Sequence, residues 1–303
     1  MYKKILVALD GSPSAEKVLP YARALAKRMA LAVDLLEVVD IVEMTRSVPA
    51  AEGLFINQLA EDDARRSGAY LDAVARNFGG VPVHCSVKYG HAADIIIETA
   101  ASDKDTLIAM ATHGRSGVNR FLLGSVAEKV LRGTSNPLLL VRATEAARSD
   151  GEAVLKSVIV PLDGSELAES ILPVVEELAK KFQLEVILIR AYAIPYGAYT
   201  AGEGFYDPVN LEAFLKRLRE ETIDYLEGKT AQLKRKGLAD VSYVARDGLS
   251  ADEIIKFARA TPDTLIAMCS HGYSGVKRWV LGSVTETVVR HAVDPVLVLR
   301  AGN

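Results

Sequence analysis

Short, almost wholly apolar runs alternate with stretches of helical spacing along this chain, and the alternation is written twice. Lys4-Ile-Leu-Val-Ala-Leu-Asp10-Gly-Ser in the first half is answered by Ser157-Val-Ile-Val-Pro-Leu-Asp163-Gly-Ser in the second. Uninterrupted apolar runs of this length predict strands buried on both faces. Further strands are predicted at Val33–Val39, Pro82–Val87, Thr106–Met110 and Pro137–Val141, then at Glu185–Tyr192, Val241–Ala245, Thr264–Met268 and Pro295–Leu299, the short apolar Thr106–Met110 and Thr264–Met268 reading as buried. Between the first two strands, Ser14–Met29 sets Val18, Ala22, Leu25, Ala26 and Met29 at helical spacing, and Glu166–Phe182 is its counterpart. Pro20 and Pro173 stand at one offset inside these helices, which predicts a kink or a late start. Helices are also predicted near Leu54–Phe78, Ala92–Ala101, Leu211–Lys236 and Ser250–Ala260, and from Gly124-Ser-Val and Gly282-Ser-Val.

Strands alternating with helices predict a parallel, doubly wound α/β sheet in each half. A chain of 303 residues suits two such domains, placed at 1–145 and 153–303 with the small, polar stretch Ala143–Ala153 between them. Ligands of these sheets bind beyond the carboxyl ends of the strands, where strand order reverses. If the first and fourth strands are neighbours, Asp10 and the loop from Ala111 face one crevice. Leu138-Leu-Leu-Val141 and Val296-Leu-Val-Leu299 carry no interior charge and would be sticky as open edges. Pairing them predicts a pseudo-twofold arrangement in which each half is the other's partner.

The most alike segments are Ala111–Arg142 and Cys269–Arg300, identical at roughly half their positions. Each leaves a strand, passes glycines and enters a helix, an order that leaves backbone N–H groups facing an anion. Gly114 and Gly124, like Gly272 and Gly282, are separated by nine residues. They either let backbone approach a phosphate or shape the connection. Ser125 and Ser283, each with a glutamate three residues on, either form a capping box or meet a phosphate together with the amides of Val126 and Ala127, or Val284 and Thr285. Asp10 and Asp163 either accept hydrogen bonds from adenine or ribose, approach a divalent ion such as magnesium, or close a turn with the next Gly and Ser. His113 and His271 are expected to be hydrogen-bonders in the loop. Arg115, replaced by Tyr273 in the second copy, and the shared Arg120 and Arg278 are candidates for terminal phosphates.

Composition narrows the partners. Half the residues are apolar, a quarter are charged and the net charge is −3 with no basic tract, which argues against nucleic acid. No segment is apolar for the length of a bilayer, and MYKKILVALDGS suits a first strand rather than a signal peptide. Two cysteines at unmatched places, Cys85 and Cys269, fit a reducing, cytoplasmic setting. Gly228-Lys-Thr230 lacks the earlier glycine of a P-loop, Gly202-Glu-Gly204 follows no strand, and metal-site spacings such as C-x-x-C are missing.

The two glycine loops and the strand-end aspartates resemble the universal stress protein family over essentially the whole chain. The family's loop is G-x-x-G-x9-G-[S/T]. Gly114, Gly124 and Ser125 match it in the first copy, and Gly272, Gly282 and Ser283 in the second. The resemblance implies tandem five-stranded parallel sandwiches, flavodoxin/Rossmann-like and of the adenine nucleotide alpha hydrolase-like type, paired through the last strands, with a homodimer as a further assembly. It implies ATP or AMP as the ligand, accompanied by magnesium, and a regulatory role in stress response rather than a metabolic one. The pocket would be lined by Ala8, Val38 and Met110 in the first copy, and by Pro161, Ala191 and Met268 in the second. The family's first loop glycine is Ala111 here and Cys269 in the second copy, so the first copy is expected to be the better site. Slow ATP hydrolysis and a nucleotide-free scaffold are the two alternatives open at this point.

Overall fold

The structure, a computed structural model, describes residues 2–40, 56–113, 123–142, 151–193, 208–270 and 281–300. Its described residues divide into two compact units, one running to Val154 and including Leu297–Arg300, the other running from Leu155 to Val296. In the first, β1 (Lys4–Leu9), β2 (Ala32–Val39), β3 (Val83–Tyr89), β4 (Thr106–Ala111) and β5 (Leu138–Val141) form a parallel sheet in the order β3-β2-β1-β4-β5. The second half of the chain gives β6 (Ser157–Pro161), β7 (Glu185–Tyr192), β8 (Val241–Asp247), β9 (Thr264–Cys269) and β10 (Val296–Leu299), in the order β10-β9-β6-β7-β8; of β10 only Val296 falls in the second unit. There β6 runs parallel to β7 and β9, and β7 to β8.

The apolar strands at the centre of each half are buried on both faces, whereas β3 and β8 are half-buried or exposed along nearly all their length. β4 and β9 are buried at every position, and Ile5, Leu35, Ile108, Ile159, Leu188 and Ile266 are sealed from solvent. Helices α1 (Leu19–Met29), α2 (Ile56–Ala75), α3 (Ala92–Ala101) and α4 (Ser125–Gly133) belong to the first unit. The second has α5 (Glu166–Glu169), α6 (Leu172–Phe182), α7 (Pro208–Arg235), α8 (Ser250–Arg259) and α9 (Ser283–His291).

Pro20 and Pro173 produce late helix starts, not kinks. A 3-10 turn at Ala15–Val18 precedes α1, and the short α5 precedes α6, each main helix carrying its proline in the first two positions. There the missing N–H would have had no partner in any case. Residues 151–153 of the expected connecting stretch lie along α1. Arg23 Nη1 donates to the Gly151 carbonyl at 2.7 Å, Lys27 pairs with Glu152 at 2.7 Å, and Ala153 N–H donates to the Pro20 carbonyl at 3.0 Å.

One difference between the copies concerns stability. Before β5, the buried Asn136 amide donates to the carbonyls of Asp103 and Thr106, each at 3.1 Å. Asp294 takes this place before β10, and a carboxylate has no hydrogen to give. Its Oδ2 is buried with no hydrogen-bond partner among the described residues. Burial raises the carboxyl above its ordinary range, against the opposing pull of its own amide and of Arg259. A carboxyl raised in the folded state weakens the fold increasingly as pH climbs above the ordinary value of 3.8, fully above its raised value, and not at all below 3.8. Asp294→Asn is therefore expected to stabilise the protein at pH 7 by roughly 1 kcal/mol, the low end for an unpaired group that is only half-buried. Thermal unfolding from pH 7 down to pH 4 checks this: the gain should shrink steadily as pH falls.

Candidate functional site

Strand order places the site. In each unit β1 (or β6) has β2 (or β7) on one side and β4 (or β9) on the other, so the connections reverse direction there. Such a reversal opens a crevice at the carboxyl ends of the two central strands. In the first unit Ala8 is in register with Met110, and Asp10 follows β1 directly. Ala8, Met110 and Ala111 are buried and Val38 and Asp10 half-buried; Met268 and Cys269 are buried, and Pro161, Asp163 and Ala191 half-buried. The expected neighbourhood of first and fourth strands is thus present in both copies.

The chain leaves β4 and returns to the same point. Gly124 N–H donates to the Thr112 carbonyl at 2.8 Å, and Gly282 N–H to the Ser270 carbonyl at 2.9 Å. Gly124 has φ −60°, open to any residue, yet a Cβ there would stand 2.8 Å from the Thr112 oxygen. The glycine is needed for this close approach of two backbones, which is the shaping role among those open to it. Gly114, Gly272, His271, Tyr273, Arg115, Arg120 and Arg278 lie outside the described residues, as do 41–55 and 194–207.

The stem decides how the helix begins. Gly124 and Gly282 are themselves the N-caps of α4 and α9, and neither helix has a side-chain cap. The capping boxes therefore do not form. Glu128 and Glu286 instead pair one turn on, with Arg132 at 3.3 Å and Arg290 at 2.9 Å. Ser125 and Ser283 are exposed at the first helical position. The first intrahelical bond in each is Glu128 N–H to Gly124 and Glu286 N–H to Gly282, both 2.9 Å. The amides of Ser125, Val126 and Ala127, and of Ser283, Val284 and Thr285, thus have no acceptor among the described residues. Three amides and the positive end of a helix dipole suit a phosphate.

The aspartates close turns of their own. Asp10 Oδ1 accepts from Ser12 N–H at 3.0 Å, and Asp163 Oδ1 from Ser165 N–H at 2.9 Å and the Ser165 hydroxyl at 2.6 Å. Gly11 and Gly164, with φ of 75° and 91°, allow the bend. Each carboxylate is thereby oriented at the end of its central strand. His113 Nδ1 meets the Thr112 hydroxyl at 3.0 Å, in keeping with a hydrogen-bonding role. Cys269 packs against helix α5, its Sγ 3.2 Å from the Ser170 hydroxyl and 3.7 Å from the Ala168 carbonyl. Burial pushes this thiol up to about 11. Among the described residues, no group of three or more His, Cys, Asp or Glu is placed to hold a metal ion, and no helix is long and apolar enough to cross a membrane.

A second circle of residues escaped sequence reasoning. Tyr70 and Glu16 line a groove of about 770 Å³ with Leu19, Arg23 and Phe78. Burial, and then the charges of Glu16, Glu37 and Asp10, push the Tyr70 hydroxyl upward. In the second unit the Tyr225 hydroxyl donates to Glu169 at 2.8 Å, Lys229 pairs with Glu169 at 2.6 Å, and the Arg190 guanidinium lies 4.8 Å from the Tyr225 ring centre. Aligning the two copies column by column sets Glu16 against Glu169 and Glu37 against Arg190 at the offset of Asp10 and Asp163, and would have found this contrast.

The model of the universal stress protein family matches residues 1–142 and again 155–300, and the chain belongs to that family. A universal stress protein of Methanocaldococcus jannaschii is 31% identical over 142 residues, 47% of this chain and 83% of the relative. One of Mycobacterium tuberculosis is 26% identical over 246 residues, 79% of this chain and 78% of its own. The crystal structure of a universal stress protein from Archaeoglobus fulgidus covers both chains completely with a TM-score of 0.68 at 20% identity, a likeness of fold. The α/β, adenine nucleotide alpha hydrolase-like fold with two family domains is thus the one expected.

The backbone contact at the stem yields its own test. Gly124→Ala is expected to destabilise the protein by about 1–3 kcal/mol in the absence of any ligand, from overpacking against Thr112. Denaturant unfolding measures it; stability equal to wild type would remove the close approach as the reason for the glycine.

Proposed function

We propose that this protein binds adenine nucleotides, ATP or AMP, in the crevices beside Asp10 and Asp163, and acts as a regulatory component of a stress response. The observation that carries this reading is the set of three amides without acceptors at the start of α4 and of α9, each beside the carboxyl end of a central strand. Phosphate oxygens would accept from them, while the exposed Ser125 and Ser283 hydroxyls would add a donor each. Ala8, Val38, Met110 and Ala111, with Pro161, Ala191, Met268 and Cys269 in the other copy, would flank the purine and ribose. Gly114 and Gly272 would belong to the loops over the phosphates, and magnesium would arrive with the triphosphate.

Binding is favoured over turnover by the state of the acids. Phosphoryl transfer needs a positioned water and a group to take its proton. The carboxylates at the strand ends are held in their own turns, and His113 is joined to Thr112. A slow hydrolase is accordingly the second reading. We further propose domains at 1–145 and 153–303, pairing of Leu138–Val141 with Val296–Leu299 to cover two uncharged edges, a homodimer as the larger assembly, and a cytoplasmic location suited to two free thiols.

Replacing both Ser125 and Ser283 by Asp separates a binding role from a structural one. A carboxylate in the first turn favours the helix dipole but repels phosphate. Equilibrium titration with ATP and AMP should show binding by the wild-type protein, weakened about tenfold or more in the double variant, a loss of roughly 1.4 kcal/mol per site. Its melting temperature should equal or exceed that of wild type. Wild-type protein that binds neither nucleotide, and carries none when purified, would overturn the proposal.

A further inference from the structure

Arg190, near the carboxyl end of β7, is held flat but is given no acceptor. Its guanidinium lies 4.8 Å from the centre of the Tyr225 ring on α7. It also packs on the bend after β6, where a Cβ built on Gly164 would stand 3.2 Å from Nη1 and 3.3 Å from both Cζ and Nη2. Near-equal distances to three atoms of one plane put this contact over the face of the group, not at its rim. A planar cation stacked in this way keeps its N–H donors around the edge. Among the described residues, no hydrogen bond or ion pair engages them. Arginines on the helices differ: Arg132, Arg217 and Arg290 each pair with a glutamate one turn away.

The acids near Arg190 are turned to other donors. Glu169 accepts from the Tyr225 hydroxyl at 2.8 Å through one oxygen and from Lys229 at 2.6 Å through the other. Asp163 accepts from the amide and the hydroxyl of Ser165. Burial and Glu169 push the Tyr225 hydroxyl upward while Arg190 opposes them, so ring and cation share one partly desolvated environment. Arg190 itself is half-buried, within reach of a small solute.

We propose that Arg190, stacked on Tyr225 and the Gly164 bend, is an oxyanion site that takes the carboxylate or phosphate group of a small solute. A guanidinium offers paired N–H groups at the spacing of two oxyanion oxygens, and a side chain already held flat loses little freedom on binding. The place is separate from the start of α9. That helix start is drawn to the end of β9 by the bond from Gly282 to Ser270, whereas Arg190 is on β7 and β6 runs between them. At about 4.8 Å per strand, β7 and β9 are roughly 10 Å apart. Glu37 stands at the matching position of β2, so the site belongs to the second copy alone. The inference stands without the nucleotide reading.

Magnetic resonance of the arginine Nε–H groups in the isotope-labelled full chain tests this. The Arg190 signal is the one missing from Arg190→Lys. Inorganic phosphate and acetate, titrated at constant ionic strength against chloride, should each move that signal to saturation with a Kd of about 1 mM. Saturation by only one of them identifies the group that the site takes. A signal moved by neither, or moved equally by chloride, would overturn the site. Tyr225→Phe keeps the ring and should bind as wild type does, whereas Tyr225→Ala should bind about tenfold more weakly. Unchanged affinity in Tyr225→Ala, with a melting curve showing it folded, would overturn the stacked geometry as the basis of binding. In the Ser125→Asp, Ser283→Asp double variant, which keeps phosphate from the helix starts, the Arg190 response should persist. Its loss there would overturn a separate site, while wild-type protein that binds no ATP leaves the Arg190 site standing.

Discussion

One backbone hydrogen bond, made twice, governs the rest of each site: Gly124 to Thr112, and Gly282 to Ser270. It draws the start of a helix against the end of a central strand. By turning the glycine itself into the cap, it leaves the next three amides without an acceptor and the following serine at the surface. It also explains why a residue with φ near −60° is still a glycine, since the obstacle is a carbonyl oxygen and not a dihedral angle. Sheet order then sets this arrangement beside the acid at the end of the neighbouring strand. An anion-binding helix start and an oriented carboxylate meet because topology makes β1 and β4 neighbours.

Duplication keeps this geometry and lets its surroundings drift. The stem bonds recur within 0.1 Å, at 2.8 and 2.9 Å, as do the backbone-to-carboxylate bonds of the aspartate turns, at 3.0 and 2.9 Å. Side chains around them diverge, with glutamate against arginine on the second strand, valine against lysine on the covering helix, and asparagine against aspartate before the last strand. The pattern fits a scaffold whose backbone bonds are indispensable in both copies, whereas electrostatics in each copy is free to specialise.

How legible this was from sequence depends on the range of the interaction. Strands such as Thr106–Met110 and Thr264–Met268 announced themselves, because burial on both faces leaves little room for polar residues and the repeat supplied each one twice. The late helix starts at Pro20 and Pro173 were foreseeable from proline chemistry, although kinking could not be separated from them without the flanking turns. The capping box at Ser125 and Glu128 was misleading for a local reason. S-x-x-E specifies a cap only if the serine is the last non-helical residue, and the tertiary bond to Thr112 moves that boundary to Gly124. Arg190 and Glu37 stayed hidden because a charge inside a strand pattern reveals nothing of what lies above it. Only Tyr225, distant in sequence, shows what Arg190 packs on, its ring centre 4.8 Å from the guanidinium.

The paired stems have a further consequence for how such proteins diversify. Each connection is fastened at its two ends by one bond, Thr112 to Gly124 in one copy and Ser270 to Gly282 in the other. Closing a longer or shorter insert over the same anchor changes the entropy only logarithmically with length, so the sheet beneath does not feel the exchange. Novel recognition can therefore be grafted onto either crevice without refolding the domain that carries it.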